Sequence, residues 1–345
     1  MLRLLITLAV GFCGGIIAEF INSPLPFLLG SIFAVSVFQI CSSKAMIYVR
    51  FRQIGQLILG AAIGLYFSKE VALNLIGDFG LMIGIAIISV AFAGIVGLFI
   101  SYFSNISRTT AYFATMPGGV SEMSNLAERF GGDPGVVAFS QSIRLVAVVF
   151  VVPIGLSFFI DPPRMHNVAE ENLIASNYRY FMIGMIILTA VLFSIIFENY
   201  RVMNSWFLGG LLAGAIFAFN GTSPDVLPLR IIDFGQLLIG CALGTRFYLS
   251  VIIELRRVVL GLMLGSALLI LGGVLFSIVV SYLFDRLFPT ILLAMAPGGV
   301  AEMGITARVL LLDVPAVTAF HLVRIIIIVT MSGLVFRLFL RYWPR

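Results

Sequence analysis

Pro117-Gly118-Gly119-Val120-Ser121-Glu122-Met123 returns later in the chain as Pro297-Gly298-Gly299-Val300-Ala301-Glu302-Met303, 180 positions on. The same offset carries Gly55-Gln56-Leu57 onto Gly235-Gln236-Leu237, and Gly60 and Gly64 onto Gly240 and Gly244. It also carries Phe27-Leu28 onto Phe207-Leu208, Ser101-Tyr102 onto Ser281-Tyr282, Asp133 onto Asp313 and Arg144 onto Arg324. An ungapped match over most of the chain means one unit written twice.

Outward from these motifs, each half predicts the same succession. A first span (2–20; 180–197) leads to a second (26–41; 206–219), then to a third carrying the Gly-Gln-Leu pattern (53–67; 232–249). A long apolar fourth span follows (80–103; 258–283), then a Gly/Pro-broken segment (109–130; 289–311), then a last span with an arginine inside it (136–160; 315–336). The domain organisation expected is a first membrane repeat over 1–165, a polar linker over 166–178 and a second repeat over 179–345. The windows Leu81–Ile100 and Leu260–Val280 hold no charge. Each has the roughly 20 residues that cross a hydrocarbon core of about 30 Å as a helix. A chain that is 61% hydrophobic and 11% charged, with a mean hydropathy of +1.13, could not hide its apolar surface in a water-soluble core. The fold class expected is therefore an all-α polytopic membrane protein. The N-terminal run after Arg3 mimics a secretory leader. No small-residue cleavage site follows it, and it has a counterpart in the second half, so it reads as a retained span.

Charge placement speaks to orientation. Parallel repeats need six crossings each, and inverted repeats need five plus a broken segment that does not cross. The inverted order gathers Lys44, Arg50, Arg52, Arg256, Arg257, Arg337, Arg341 and Arg345 on one side, as the positive-inside bias asks. The parallel order strands Arg256 and Arg257. Two homologous inverted repeats are expected, with the basic side cytoplasmic. The net charge of +5 is accounted for by these loops. No basic run interleaved with aromatics is present, which argues against nucleic acid as a partner. Cys13, Cys41 and Cys241 are scattered and form no disulfide framework.

Several residues stand out chemically. Proline lacks an N–H and glycine lacks a β-carbon, so Pro117, Gly118 and Gly119, like Pro297, Gly298 and Gly299, break a helix. The half-helix after each break offers free N–H groups and a positive dipole end to an anion. Paired broken helices in the two halves of a membrane protein point to a solute site. Glu122 and Glu302 in the first turn are candidates for binding a coupling proton or sodium ion, and equally complement the dipole. Arg144 and Arg324 lie deep in apolar spans and need a partner. Ion pairs Glu122–Arg144 and Glu302–Arg324 are expected at rest. Gln141 precedes Arg144 by three residues, as His321 precedes Arg324, and so shares its helical face. Gln56, Gly60, Gly64 and Gln236, Gly240, Gly244 read as close helix packing. Asp133 and Asp313 read as N-caps of the last spans.

The two Pro-Gly-Gly segments resemble those of the AbrB membrane-protein family, whose membrane domain is duplicated. The run Gly132-Asp133-Pro134-Gly135-Val136-Val137-Ala138-Phe139-Ser140-Gln141-Ser142-Ile143-Arg144 is similar to that family's Asp-to-Arg stretch. Met116 and Ala296 stand where the family carries Ser. The resemblance covers nearly the whole chain and implies an inner-membrane protein with a transporter-like fold, one characterised member being described as affecting another gene's expression. The family also carries an ammonia-monooxygenase label, which the residues do not support. His166 and His321 are the only two histidines, and an oxygenase metal needs several converging ligands. No P-loop, catalytic triad or dinucleotide fingerprint is present. No enzyme activity, metal or cofactor is expected. The reading is a gradient-driven permease for a small anionic solute, with a coupling proton or sodium ion and room for a homo-oligomer. The alternative is a membrane sensor or regulator using the same site, although no loop is long enough to be a signalling module.

Overall fold

The computed structural model describes residues 2–160, 176–222, 226–249, 253 and 256–342. Most of the linker expected over 166–178 lies outside them. Among the described residues every regular element is a helix. The first repeat holds α1 (Leu2–Phe20), α2 (Pro26–Ser42), α3 (Val49–Gly64), α4 (Lys69–Gly77), α5 (Phe79–Ser104), α6 (Arg108–Thr115), α7 (Val120–Arg129) and α8 (Pro134–Ser157). The second holds α9 (Ser176–Asn199), α10 (Ser205–Phe219), α11 (Leu229–Gly244), α12 (Arg256–Phe284), α13 (Phe288–Met295), α14 (Val300–Val309) and α15 (Val314–Tyr342). The pairs α3/α11, α6/α13 and α7/α14 begin and end at positions 180 apart. Six helices have the length and apolarity to cross a membrane, namely α1, α5, α8, α9, α12 and α15. They are three matched pairs, and the protein is an all-α polytopic membrane protein. The sequence reading had no counterpart for α4, which turns 88° from α3.

The chain forms two compact units, and each draws on both repeats. One comprises Met1–Ile76, Pro153–Leu249 and Gly304–Pro315; the other comprises Gly77–Val152, Ser250–Met303 and Ala316–Arg345. In the first unit α3 packs on α10 and α11 packs on α2. Glycines make these contacts backbone to backbone. A β-carbon on Gly60 would collide with the Phe207 carbonyl, and one on Gly64 with the Leu211 carbonyl. One on Gly240 would strike Ser31, and one on Gly244 would lie 2.8 Å from Val35 Cβ. The third helix of each repeat is thus threaded against the second helix of the other.

The same contacts reveal direction. In the second unit, β-carbons on Gly261, Gly265 and Gly272 of α12 would meet Ser104, Ile100 and Phe92 of α5 in that order. Residue numbers rise along one helix as they fall along the other. Arg286, after α12, pairs with Asp78, before α5. In the first unit, Gly55 of α3 faces Ile239, and Gly235 of α11 faces Ile58. Matched helices of the two repeats therefore run antiparallel, and the repeats are inverted. The core of the second unit gathers rings from both repeats. Phe336 of α15 lies 4.9 Å from the ring of Tyr112, 5.0 Å from that of Phe113 and 5.1 Å from that of Phe130.

Candidate functional site

Each break is explained residue by residue. The residue before a proline is pushed out of the helical region, so α6 ends at Met116 (φ −57°, ψ 129°) and α13 ends at Ala296 (φ −51°, ψ 133°). The second half-helix starts after Gly119, itself extended at φ −69°, ψ 147°. A β-carbon on Gly118 would lie 2.7 Å from Met123 Cε, and one on Gly298 would lie 3.1 Å from Met303 Cε. Both methionines are fully buried. A β-carbon on Gly119 would fall on the Glu122 carboxylate, and one on Gly299 on that of Glu302. Both glutamates thus fold back over the start of their own half-helix, as a third-position acid does in a capping box. The chain's own carboxylates stand at the dipole ends where a free anion was expected.

The arginines close the other side of each break. Arg144 is 4% exposed. Its Nη1 donates to the carbonyls of Thr115 (3.0 Å) and Met116 (2.8 Å), its Nη2 to Gln141 Oε1, and its Nε to the Pro297 carbonyl at 3.1 Å. Gln141 Nε2 donates to the carbonyls of Phe113 and Met116, both at 2.9 Å. Arg324 is 2% exposed; its Nη1 donates to Ala296 O at 2.7 Å and its Nη2 to Gly298 O at 3.2 Å. These are the last carbonyls of α6 and α13 and of the breaks after them, which have no intrahelical partner. The ion pairs expected for Arg144 with Glu122 and for Arg324 with Glu302 are not how these guanidiniums are held. A helix end supplies several oriented acceptors at once, and the guanidinium's donor fork matches them.

The Arg144–Pro297 bond joins the two repeats: an arginine of the first reaches the break of the second. Gly298 adds to the junction, since a β-carbon there would lie 3.1 Å from Val148 Cγ1. Pro117, Gly118, Gly119, Glu122, Gln141, Arg144, Pro297, Gly298, Gly299, Glu302, His321 and Arg324 all belong to the second unit. Gln56, Gly60, Gly64, Gln236, Gly240 and Gly244 belong to the first unit, where the glycines make the helix contacts described above. Gln56 is half-buried and Gln236 buried. Asp133 Oδ1 accepts from the N–H groups of Gly135 (2.8 Å) and Val136 (3.1 Å), capping α8. Thr115 was missed in the sequence. Its hydroxyl donates to Ala93 O at 2.9 Å, tying the end of α6 to α5.

A sequence-family model described as "Transition state regulatory protein AbrB" matches residues 27–340. A Bacillus subtilis (strain 168) protein named "Uncharacterized protein YhjN" is 27% identical over 303 residues, covering 84% of this chain and 78% of its own. The Escherichia coli (strain K12) protein named "Putative regulator AbrB" is 22% identical over 348 residues, covering 98% of this chain and 95% of its own. Neither name states a solute or a reaction.

Proposed function

The chain belongs to the membrane AbrB family, and from that premise we propose that it is a gradient-driven permease of the bacterial inner membrane for a small anionic solute. The observation that carries this reading is the hydrogen bond from Arg144 in one repeat to the Pro297 carbonyl in the break of the other. It makes the two breaks one locus within one unit. Irregular backbone at membrane depth persists where protein or a water-filled cavity covers it. In inverted-repeat transporters such paired breaks hold the solute. The sign of the solute follows from charge. Two buried guanidiniums hydrogen-bond neutral carbonyls and a neutral amide, so the locus favours a negative guest. Glu122 and Glu302 are assigned the coupling proton or sodium ion. They are also the groups an entering anion competes with at the two half-helix starts.

The test is steric. A valine at position 119 or 299 displaces the glutamate carboxylate and closes approach to the break. Gly119→Val and Gly299→Val should each lower anion uptake into proteoliposomes at least about tenfold, normalised to monodisperse protein. Full uptake in both variants would sink the reading. The Escherichia coli relative's name supports a second reading, a sensor whose ligand sits at the same locus. Ligand-induced thermal shift without uptake would favour it.

A further inference from the structure

The two breaks are copies, yet their polar groups are satisfied unequally. In the first repeat the two side chains that hold the break are bonded at every polar atom that bears on it. Gln141 bonds the carbonyls of Phe113 and Met116 and receives Arg144 Nη2. Arg144 Nε reaches Pro297 O. In the second repeat His321 stands where the first has Gln141. His321 is 0% exposed, and neither its Nδ1 nor its Nε2 has a hydrogen-bond partner. Arg324 anchors its two terminal nitrogens on Ala296 O and Gly298 O, while its Nε has no partner. Three polar atoms on two buried side chains, three residues apart on one face of α15, are thus unsatisfied at the break where α14 begins. Leaving such groups unbonded in a buried setting is costly, and the sister repeat shows that a residue able to avoid the cost fits at this place.

We propose that the second-repeat break is the recognition end of the solute site, where Arg324 Nε–H and a His321 N–H bind a small monovalent anion. Arg144 and Gln141 form its fixed, structural end. The proposal rests on the reading of the breaks as a solute site and adds which residues recognise the charge. The chemistry fits the class. Arg324 brings one full positive charge and, at Nε, a donor nitrogen that no partner holds. The imidazole brings a second donor and, when neutral, one acceptor nitrogen. Two donors and one charge match a single compact anion through charge-assisted hydrogen bonds. A cation finds the guanidinium repelling it.

The full chain, purified in detergent, is titrated with sodium formate, acetate, nitrate or chloride against gluconate at constant ionic strength, and thermal unfolding is followed. The wild type is expected to shift upward with at least one of the four. His321→Gln installs the first repeat's residue. It should raise the anion-free midpoint by closing on the α13 carbonyls, and should raise the anion concentration for half the shift at least about tenfold. Gly84→Ala in α5, where a β-carbon would meet nothing within 4 Å, should leave the anion shift in place. If His321→Gln is not monodisperse, His321→Asn supplies the same amide on a shorter stem and carries the same expectation. An anion shift that survives unchanged in His321→Gln overturns the proposal while leaving an anion site intact, as does an equal loss in Gly84→Ala. No shift with any of the four anions overturns the proposal. Uptake by the glycine variants still decides transport independently.

Discussion

At the end of α7 the chain turns through Gly131 at φ +76°, and at the matching place after α14 it turns through Leu311 at φ +52°. Both turns close in the same way. The Gly132 N–H reaches Ala127 O at 2.7 Å, and the Leu312 N–H reaches Ala307 O at 2.8 Å, the long-range bond of a Schellman motif. Glycine adopts the left-handed conformation freely, whereas a leucine there costs roughly 1–2 kcal/mol. Leu311 is 66% exposed, so its removal forfeits little burial. Leu311→Gly is expected to stabilise the protein by about 1 kcal/mol, read as a higher thermal midpoint; a lower one would show that the turn is not strained. A second expectation concerns Arg144 and Gln141, which bond each other and share the Met116 carbonyl. A double-mutant cycle of Arg144→Ala and Gln141→Ala should give a coupling energy of roughly 0.5–3 kcal/mol, and strictly additive losses would remove the shared network. The sequence marked Arg144 as a buried charge needing a partner, and that much was legible. It could not mark the partner, because every residue has a carbonyl and only the fold decides which ones a helix end leaves unpaired.

Among the elements, the spans were legible because apolar runs of membrane length admit few other readings. The fourth spans, expected over 80–103 and 258–283, are helices Phe79–Ser104 and Arg256–Phe284. The short α4 was not legible. It has nine residues and carries Lys69, Glu70 and Asn74, so it yields neither a span-length window nor a break signature. The third span was accordingly expected to run to residue 67, past the end of α3 at Gly64. Glycine spacing was legible as close packing, but not which helix each glycine faces, since that depends on how the repeats interleave. The contacts now separate two kinds of glycine. Gly60 of α3 abuts the backbone of α10, whereas a β-carbon on Gly84 of α5 meets nothing within 4 Å. Gly60→Val should therefore abolish monodisperse protein, because neither backbone can yield without separating the helices. Gly84→Ala should be neutral or stabilising, as alanine favours a helix over glycine by roughly 1 kcal/mol. Size-exclusion profiles of the two variants check this, and a well-behaved Gly60→Val would mean the α3–α10 contact is looser than drawn.

For the molecule as a whole, duplication was legible from one offset, and inversion was suggested by a charge count. What the sequence does not carry is the exchange of partners, by which each compact unit takes matched helices from both repeats. Inversion has a consequence that can be checked without knowing the solute. Two repeats of opposite orientation require an odd number of crossings in each. With α1, α2, α3, α5 and α8 crossing, the broken α6–α7 segment is expected to return to the side it left, which places the two termini on one side and the linker on the other. The ion pair of Arg50 with Glu198, at 3.3 Å, agrees with this, because it brings the start of α3 to the end of α9. If α9 ran in the same direction as α1, these two ends would lie on opposite faces of the membrane. On this topology the basic residues Lys44, Arg50, Arg52, Arg201, Arg256 and Arg257 are expected on one side, which positive-inside bias assigns to the cytoplasm. In a background lacking Cys13, Cys41 and Cys241, single cysteines are placed at Lys44, Glu170, Arg256 and Trp343. An impermeant maleimide added outside spheroplasts should label the residue 170 variant alone and reach the other three only after permeabilisation. Labelling of positions 170 and 343 from the same side would require an even number of crossings in the second repeat. That result would contradict the antiparallel run of α5 against α12 and, with it, the pairing of the two breaks across an inverted axis.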